Sequence, residues 1–221
     1  MGKSVQLTAA DGHVFNVYCS EPTGKPKGAV VIVQEIFGVT AHIRGVTDQY
    51  AAAGYLALAP AFFDRLRPGI ELTPQQFDEA RSNAGQLHDL DTYADLAATV
   101  QYASRAGKVA VIGYCWGGTV AHVAACRLPI AAAISYYGTR TLQYLGETVH
   151  APVLYHFGEL DSFLSSDAIA QIQAANPHGE FHVYTGAQHA FNNNLRPDKY
   201  HPQAAELALK RSLGFLSRHV D

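Results

Sequence analysis

Gly113-Tyr114-Cys115-Trp116-Gly117-Gly118 follows a short apolar run, Val109 to Ile112, and precedes a stretch rich in small residues. That order implies a strand, a tight turn and a helix, with a thiol at the apex. The pattern is G-x-S-x-G, in which a nucleophile stands on a strained strand-to-helix turn, here with Cys in place of Ser. The backbones of strand and helix pass close by at such a turn, so residues without a Cβ are needed beside it. Gly113 and Gly117 stand two positions either side of Cys115, and Gly118 leaves room for the helix to pack on the sheet. At a helix N-terminus the thiol also meets unpaired backbone N–H groups and the positive end of the dipole, which favour thiolate. The alternative reading is a strand-to-helix turn around a buried, inert thiol, since free Cys behaves as a small core hydrophobe.

Outward from this turn, strand and helix signals alternate. Ser4 to Thr8 and Val14 to Cys19 flank Asp11-Gly12, the signature of an antiparallel hairpin. Ala29 to Val33 is a continuous apolar run, as in strands covered on both faces. A helix is expected from about Ala41 to Ala53, ended by Gly54, and a strand from Tyr55 to Ala59, stopped by Pro60. Thr73-Pro74 opens a helical region that reaches Arg105 with at least one break. Lys108 to Ile112 is a strand and Trp116 to Cys126 a helix; Ile130 to Tyr136, Val153 to Phe157 and Phe181 to Tyr184 are further strands. Ser162 or Ser165 caps a helix through about Ala175, and Pro202 to His219 forms the last helix. The alternation implies a doubly wound, mostly parallel α/β sheet with an antiparallel N-terminal edge pair, and ligands in such sheets sit beyond the C-terminal ends of the strands.

The chain has 221 residues, 48% hydrophobic and 16% charged, enough for one large buried core, so a single domain over 1–221 is expected. A formal net charge of -3 gives no electrostatic case for nucleic acid or an anionic membrane. Three cysteines without paired spacing argue against a disulfide framework. No signal-like or membrane-spanning apolar run stands out, so a cytoplasmic protein with reduced thiols is the expectation. His178 and His182 are four apart, but Pro177 and Gly179 place them in a loop leading into a strand and no Cys or carboxylate completes a ligand set, so neither a metal nor a cofactor is expected. Asp64-Arg65-Leu66-Arg67 reads as a solvated loop, and Cys19 and Cys126 as packing residues.

Three segments follow three strands and should emerge at one edge of the sheet: Cys115, Gly158-Glu159-Leu160-Asp161, and Gly186-Ala187-Gln188-His189. Nucleophile, acid and His in that chain order match the α/β-hydrolase arrangement. In this reading His189 holds the proton of Cys115 and later protonates the leaving oxygen, while Asp161 fixes the imidazole's tautomer. Glu159 is the rival acid, and Asp161 reads alternatively as a helix N-cap. Backbone donors for an oxyanion come from Trp116 and from the loop after the early strand, Gln34-Glu35-Ile36-Phe37-Gly38, where the Ile36 N–H is the candidate. Glu35, directly after a buried strand, modulates the thiol or meets substrate, or else forms a structural ion pair with Arg44.

Gln34-Glu35-Ile36-Phe37-Gly38-Val39, Gly113-Tyr114-Cys115-x-Gly117-Gly118, Tyr136-Tyr137-Gly138 and Gly186-x-x-His189-x-Phe191 together resemble the dienelactone hydrolases (carboxymethylenebutenolidases), over nearly the whole chain. The resemblance implies an α/β hydrolase opening a small-molecule lactone or enol ester through Cys115, His189 and Asp161, assisted by Glu35. It implies a monomer; a homodimer stays open. Members of the family hold a substrate carboxylate with arginines, one shortly after the His and one in the helical region. Here Asn193 follows His189, and Arg81 is near the second place; Arg81, Phe37 and Asn193 are the candidate substrate contacts. Asn forms hydrogen bonds but not the bidentate charge clamp of Arg, so hydrolase chemistry is better supported than dienelactone itself, and a general carboxylesterase or thioesterase is the alternative.

Overall fold

A computed structural model describes residues 2–221 of the chain. Eight strands alternate with six α-helices in a mostly parallel sheet of the doubly wound kind, with an antiparallel pair at its N-terminal edge. The chain forms two compact units, 1–109 with Val220 and 110–219 with Asp221.

In the first unit the strands are β1 (Lys3–Thr8), β2 (Val14–Ser20), β3 (Ala29–Val33) and β4 (Leu56–Pro60), in the spatial order β1-β2-β4-β3. β1 and β2 pair antiparallel from Lys3↔Cys19 to Thr8↔Val14 around the Asp11-Gly12 turn, where Gly12 has φ 87°. β2 is also antiparallel to β4, whereas β3 and β4 run parallel. Every residue of β3 and β4 is buried, the mark of strands covered on both faces. Helix α1 (Ala41–Ala52) turns Ile43, Val46 and Tyr50 inward and stops as expected, with Gly54 at φ 104° just past its C-cap. The break in the helical region falls at Leu87, whose extended backbone separates α2 (Phe77–Gln86) from α3 (Asp89–Ala103).

Two expectations are corrected here. Pro60 ends β4 inside the strand rather than stopping it: it pairs with Val17, at a strand end where a missing N–H is tolerated. Asp64-Arg65 is not a solvated loop but part of a buried short 3-10 turn. Asp64 accepts hydrogen bonds from the Asn16 backbone and side chain and from the Gly69 N–H. Arg65 donates from Nε and Nη2 to Asp95 at 3.0 and 2.7 Å, and its Nη1 reaches Asp11. Asp95, fully buried on α3, also meets His13 Nδ1 at 3.2 Å. One carboxylate thus clamps the β1–β2 hairpin and the 3-10 turn to α3.

In the second unit β5 (Val109–Tyr114), β6 (Ala132–Tyr136), β7 (Val153–Gly158) and β8 (Glu180–Tyr184) lie in that order, each parallel to the next. β5, β6 and β7 are buried throughout, while β8, last in the row, is half exposed. The helices are α4 (Trp116–Arg127), α5 (Ser166–Ala175) and α6 (Pro202–His219). Ser165 caps α5, its side chain accepting from the Ala168 N–H at 3.2 Å. The core under α5 is Tyr155, Phe157, Leu164, Ile169 and Ile172. Cys19 and Cys126 are buried among packing residues, as expected.

Asp95→Asn removes the charge that Arg65 was buried to meet. It should lower unfolding stability by about 2–4 kcal/mol, read as a fall in the urea midpoint with an unchanged slope.

Candidate active site

Cys115 leaves β5 with φ 55° and ψ −118° and serves as the N-cap residue of α4. A left-handed φ on a residue with a side chain is costly and persists only where neighbours over-determine it. Those neighbours are visible. The Cys115 N–H donates to the Tyr136 carbonyl at 3.0 Å, and its own carbonyl accepts from the Gly118 N–H at 2.9 Å. A Cβ on Gly113 would stand 1.7 Å from the Gly117 carbonyl oxygen, and one on Gly118 would stand 2.7 Å from the Tyr136 carbonyl oxygen. Gly113 and Gly118 are therefore demanded by the close approach of the backbone around the thiol, as the spacing implied. No acidic side chain occupies the first turn of α4, so no carboxylate there offsets the positive end of the helix dipole beside Cys115.

The loops after β7 and β8 bring the other two residues in. His189 Nδ1 is 2.8 Å from Asp161 Oδ2, and the Cys115 side chain acts on the same ring electrostatically. The second Asp161 oxygen accepts from the Phe163 N–H at 2.8 Å, which stops the carboxylate from rotating. The Asp161 side chain is fully buried and that of His189 is 11% exposed. Asp161 is not the cap of α5, that place being taken by Ser165. Glu159, the rival acid, turns away and accepts from the Gly186 N–H at 2.8 Å. Burial alone would push the His189 imidazole toward its neutral form. The Cys115 sulfur and Asp161 carboxylate outweigh burial and raise its pKa to about 10.

Two side chains that the sequence reading left without a role complete this cluster. The Tyr137 and Phe163 rings each present an edge-on contact to His189, at centroid distances of 4.9 and 4.8 Å. Tyr137 has φ 42° and Ala190, next to His189, φ 63°; with Cys115 these are the positive-φ residues other than glycine among the described residues. The Tyr136-Tyr137-Gly138 motif was the available signal for Tyr137; nothing local marks Ala190.

The remaining candidates have surroundings of their own. Trp116 is 8% exposed, at the start of α4. Asn193 is buried, and its Oδ1 accepts from the Leu195 N–H at 3.1 Å. In the first unit Glu35 is 3% exposed beyond the end of β3. Arg44 goes to Glu71 at 2.6 Å and to the Val39 carbonyl, so its guanidinium is engaged there. Phe37 packs with Phe63, Ile70, Leu72, Ala80 and Ala84, and Ile36 lies against that cluster. Arg81 is on the exposed side of α2, between the buried Ala80 and Ala84. Among the described residues no group of three or more His, Cys, Asp or Glu is placed to hold a metal ion, and His182 instead stacks on His156 at 5.9 Å.

A mostly parallel α/β sheet with Cys115 on a strained strand-to-helix turn after β5, and with Asp161 and His189 after β7 and β8, has the architecture of the α/β hydrolases of carboxylic esters. The model of the dienelactone hydrolase family matches residues 15–220. A carboxymethylenebutenolidase from Pseudomonas putida is 34% identical over 97% of this chain and 96% of its own length. A Klebsiella pneumoniae protein whose crystal structure is assigned to a dienelactone hydrolase superposes with a TM-score of 0.83 at 29% identity, covering 99% of this chain and 100% of that one. A dienelactone hydrolase-like promiscuous phosphotriesterase from metagenomic libraries shares the fold at a TM-score of 0.77, with 19% identity over 100% of this chain and 99% of that one. The chain belongs to the dienelactone hydrolase family.

Gly113→Ala drives a methyl into the Gly117 carbonyl. It should destabilise the chain by at least about 3 kcal/mol in thermal or urea unfolding, a larger loss than alanine at an open glycine such as Gly146 would bring.

Proposed function

We propose that the chain opens a small lactone or an enol or carboxylic ester through Cys115, His189 and Asp161, by way of a thioester acyl-enzyme. The observation that carries this reading is the His189–Asp161 hydrogen bond at 2.8 Å, with the imidazole's pKa raised to about 10 by the Cys115 sulfur and the Asp161 carboxylate against the opposing effect of burial. A ring that keeps its proton beside the sulfur is placed to stabilise negative charge there, and thiolate is the nucleophilic form. The Sγ attacks the carbonyl carbon, and the oxyanion is taken up by backbone N–H groups, for which Trp116 and Ile36 are the candidates. Collapse breaks the acyl C–O bond while His189 gives its proton to the leaving oxygen; in a lactone that oxygen stays tethered to the product. Water then attacks the thioester, His189 accepts its proton, and the thiolate is released with the carboxylic acid. Glu35 is proposed to assist by modulating the thiol or contacting substrate. The family match across residues 15–220 supports treating the chain as one hydrolase domain, and three unpaired cysteines suit a reducing cytoplasm.

The substrate side favours a neutral ester over one that needs a carboxylate clamp. Beyond His189 the two cations are engaged elsewhere, Arg196 with Asp198 at 3.0 Å and Lys199 with the Gln188 side chain at 2.6 Å. The Asn193 carbonyl oxygen is turned back on the Leu195 N–H. Large apolar side chains stand exposed nearby in sequence: Leu160, Phe163 and Leu195, at 58%, 54% and 59%. We therefore assign the enzyme to the broader carboxylesterase end of the family, with Arg81, Phe37 and Asn193 as the side chains to vary first.

Cys115→Ala should fold with the wild-type unfolding midpoint and lose at least about a thousandfold in ester turnover. Retained turnover would remove the proposed nucleophile, and matched aryl esters with and without a carboxylate then read selectivity. The rate of Cys115 alkylation by iodoacetamide should change as pH approaches about 10, where His189 loses its proton. A break near the ordinary imidazole value would mean that no such ion pair forms.

A further inference from the structure

Behind the Cys115–His189 contact lies a second run of polar side chains, which the proposed chemistry does not use. The Tyr184 hydroxyl is 2.8 Å from His156 Nδ1, His156 Nε2 is 3.0 Å from Ser212 Oγ, and Ser212 Oγ is 2.8 Å from the Tyr136 hydroxyl. All four residues are buried, His156 and Ser212 completely. They come from four elements: β6, β7, β8 and α6. Four polar groups in an apolar interior are costly unless each is paired, and here each finds a partner in the next.

The Arg211 guanidinium carbon lies 5.3 Å from the centre of the Tyr184 ring. With one ring nitrogen donating and the other accepting, a neutral His156 links Tyr184 to Ser212, and Ser212 links on to Tyr136. Burial holds the His156 imidazole well below the ordinary value, and the positive fields of His182, stacked on it at 5.9 Å, and of Arg211 push the same way. The other groups facing the ring are the Tyr184 and Tyr136 hydroxyls and Ser212, and none of them is an anion.

The main chain of the same residues supports the site. The Tyr136 carbonyl accepts the Cys115 N–H at 3.0 Å, and the His156 carbonyl accepts the Tyr137 N–H at 2.8 Å. Tyr137 in turn lays its ring against His189. Phe191, two residues past His189, packs on Tyr136, Tyr137 and Tyr184 at 6.3, 5.3 and 5.1 Å. The residues whose side chains are locked in the buried run thus offer the backbone acceptors for the nucleophile turn and for the ring beside the imidazole.

We infer that Tyr184, His156, Ser212 and Tyr136 form a positioning array that sets how the Cys115 turn and the His189 ring meet. The inference rests on the reading that Cys115 and His189 perform the chemistry. None of the four touches substrate; each acts through the backbone of Cys115 or the ring of Tyr137. Loosening the array lets the imidazole drift from the sulfur, so the pair weakens and His189 gives up its proton at lower pH.

The test variants are Tyr184→Phe, which keeps the ring and removes one oxygen, and Ser212→Ala, which removes the link to both neighbours. Each is measured with p-nitrophenyl acetate and by the pH profile of Cys115 alkylation with iodoacetamide. The array predicts a fall in kcat of about fivefold or more with KM within about twofold, the pattern of misplaced reacting groups. It also predicts that the alkaline break in alkylation moves down by at least about half a pH unit. Turnover kept within about twofold of wild type would overturn the inference. So would lost turnover with an unmoved alkylation profile, because a merely structural loss lowers activity without changing how sulfur and imidazole share a proton. If Ser212→Ala fails to fold, Tyr184→Phe decides alone. Cys115→Ala turnover tests the catalytic reading separately, and the alkylation profile of Tyr184→Phe tests the array whether or not esters are hydrolysed.

Discussion

Strand β5 and helix α4 approach so closely at Cys115 that no atom beyond a glycine hydrogen fits on Gly113. That approach forces the left-handed backbone of Cys115 and projects its thiol from the end of the sheet. A conformation of this kind costs of order 1–3 kcal/mol, and it is held only because the rest of the unit leaves it no alternative. The restraint comes from β6, whose last residue accepts the Cys115 N–H, and from the fully buried strands β5 to β7 beneath. The second strained residue, Tyr137, directly follows that same strand end, and the third, Ala190, follows His189. Among the described residues, the strained backbone positions other than glycine are thus Cys115 itself, the residue after β6 and the residue after His189.

A buried imidazole beside a thiol sets up an electrostatic contest. Removing His189 from water favours its neutral form, while the adjacent sulfur and the Asp161 carboxylate favour the charged one, and the charges win. They win because the geometry is held. Asp161 is tied at one oxygen by the Phe163 N–H and meets the ring with the other, and the ring lies between the edge contacts of Tyr137 and Phe163. His156 shows the opposite outcome a short way off. It is buried completely, but its neighbours are hydroxyls and the Arg211 cation, so it stays neutral and links hydrogen bonds. The same side chain takes opposite states in one unit because of what faces it.

Much of the organisation was legible in local sequence. The hairpin around Asp11-Gly12, the buried run Ala29–Val33, the stop at Gly54, the Thr73-Pro74 start and the last helix from Pro202 each rest on rules that act within a few residues. Three loops far apart in sequence could be read as neighbours because a parallel sheet places the residues after its strands at one edge, and two of them, those of Asp161 and His189, meet at 2.8 Å. Tyr114, Tyr136, Tyr137, Tyr155 and Tyr184 are buried in the second unit, several stacked or edge-on around the strand ends, a grouping that spacing along the chain does not reveal. Arg65 and Asp64 looked like loop charges because their partners, Asp95 and Asn16, lie 30 and 48 residues away.

Residue type and spacing alone determined the class of fold, the nucleophile turn and the chain order of thiol, carboxylate and imidazole, because each follows from steric and hydrogen-bonding rules of short range. Tertiary structure alone decided which acid meets His189, since Asp161 and Glu159 differ only in where the loop after β7 turns them. It alone decided which rings flank the imidazole and which buried groups stay neutral. Those outcomes depend on contacts between segments distant in sequence and on the removal of water, and no local pattern encodes either.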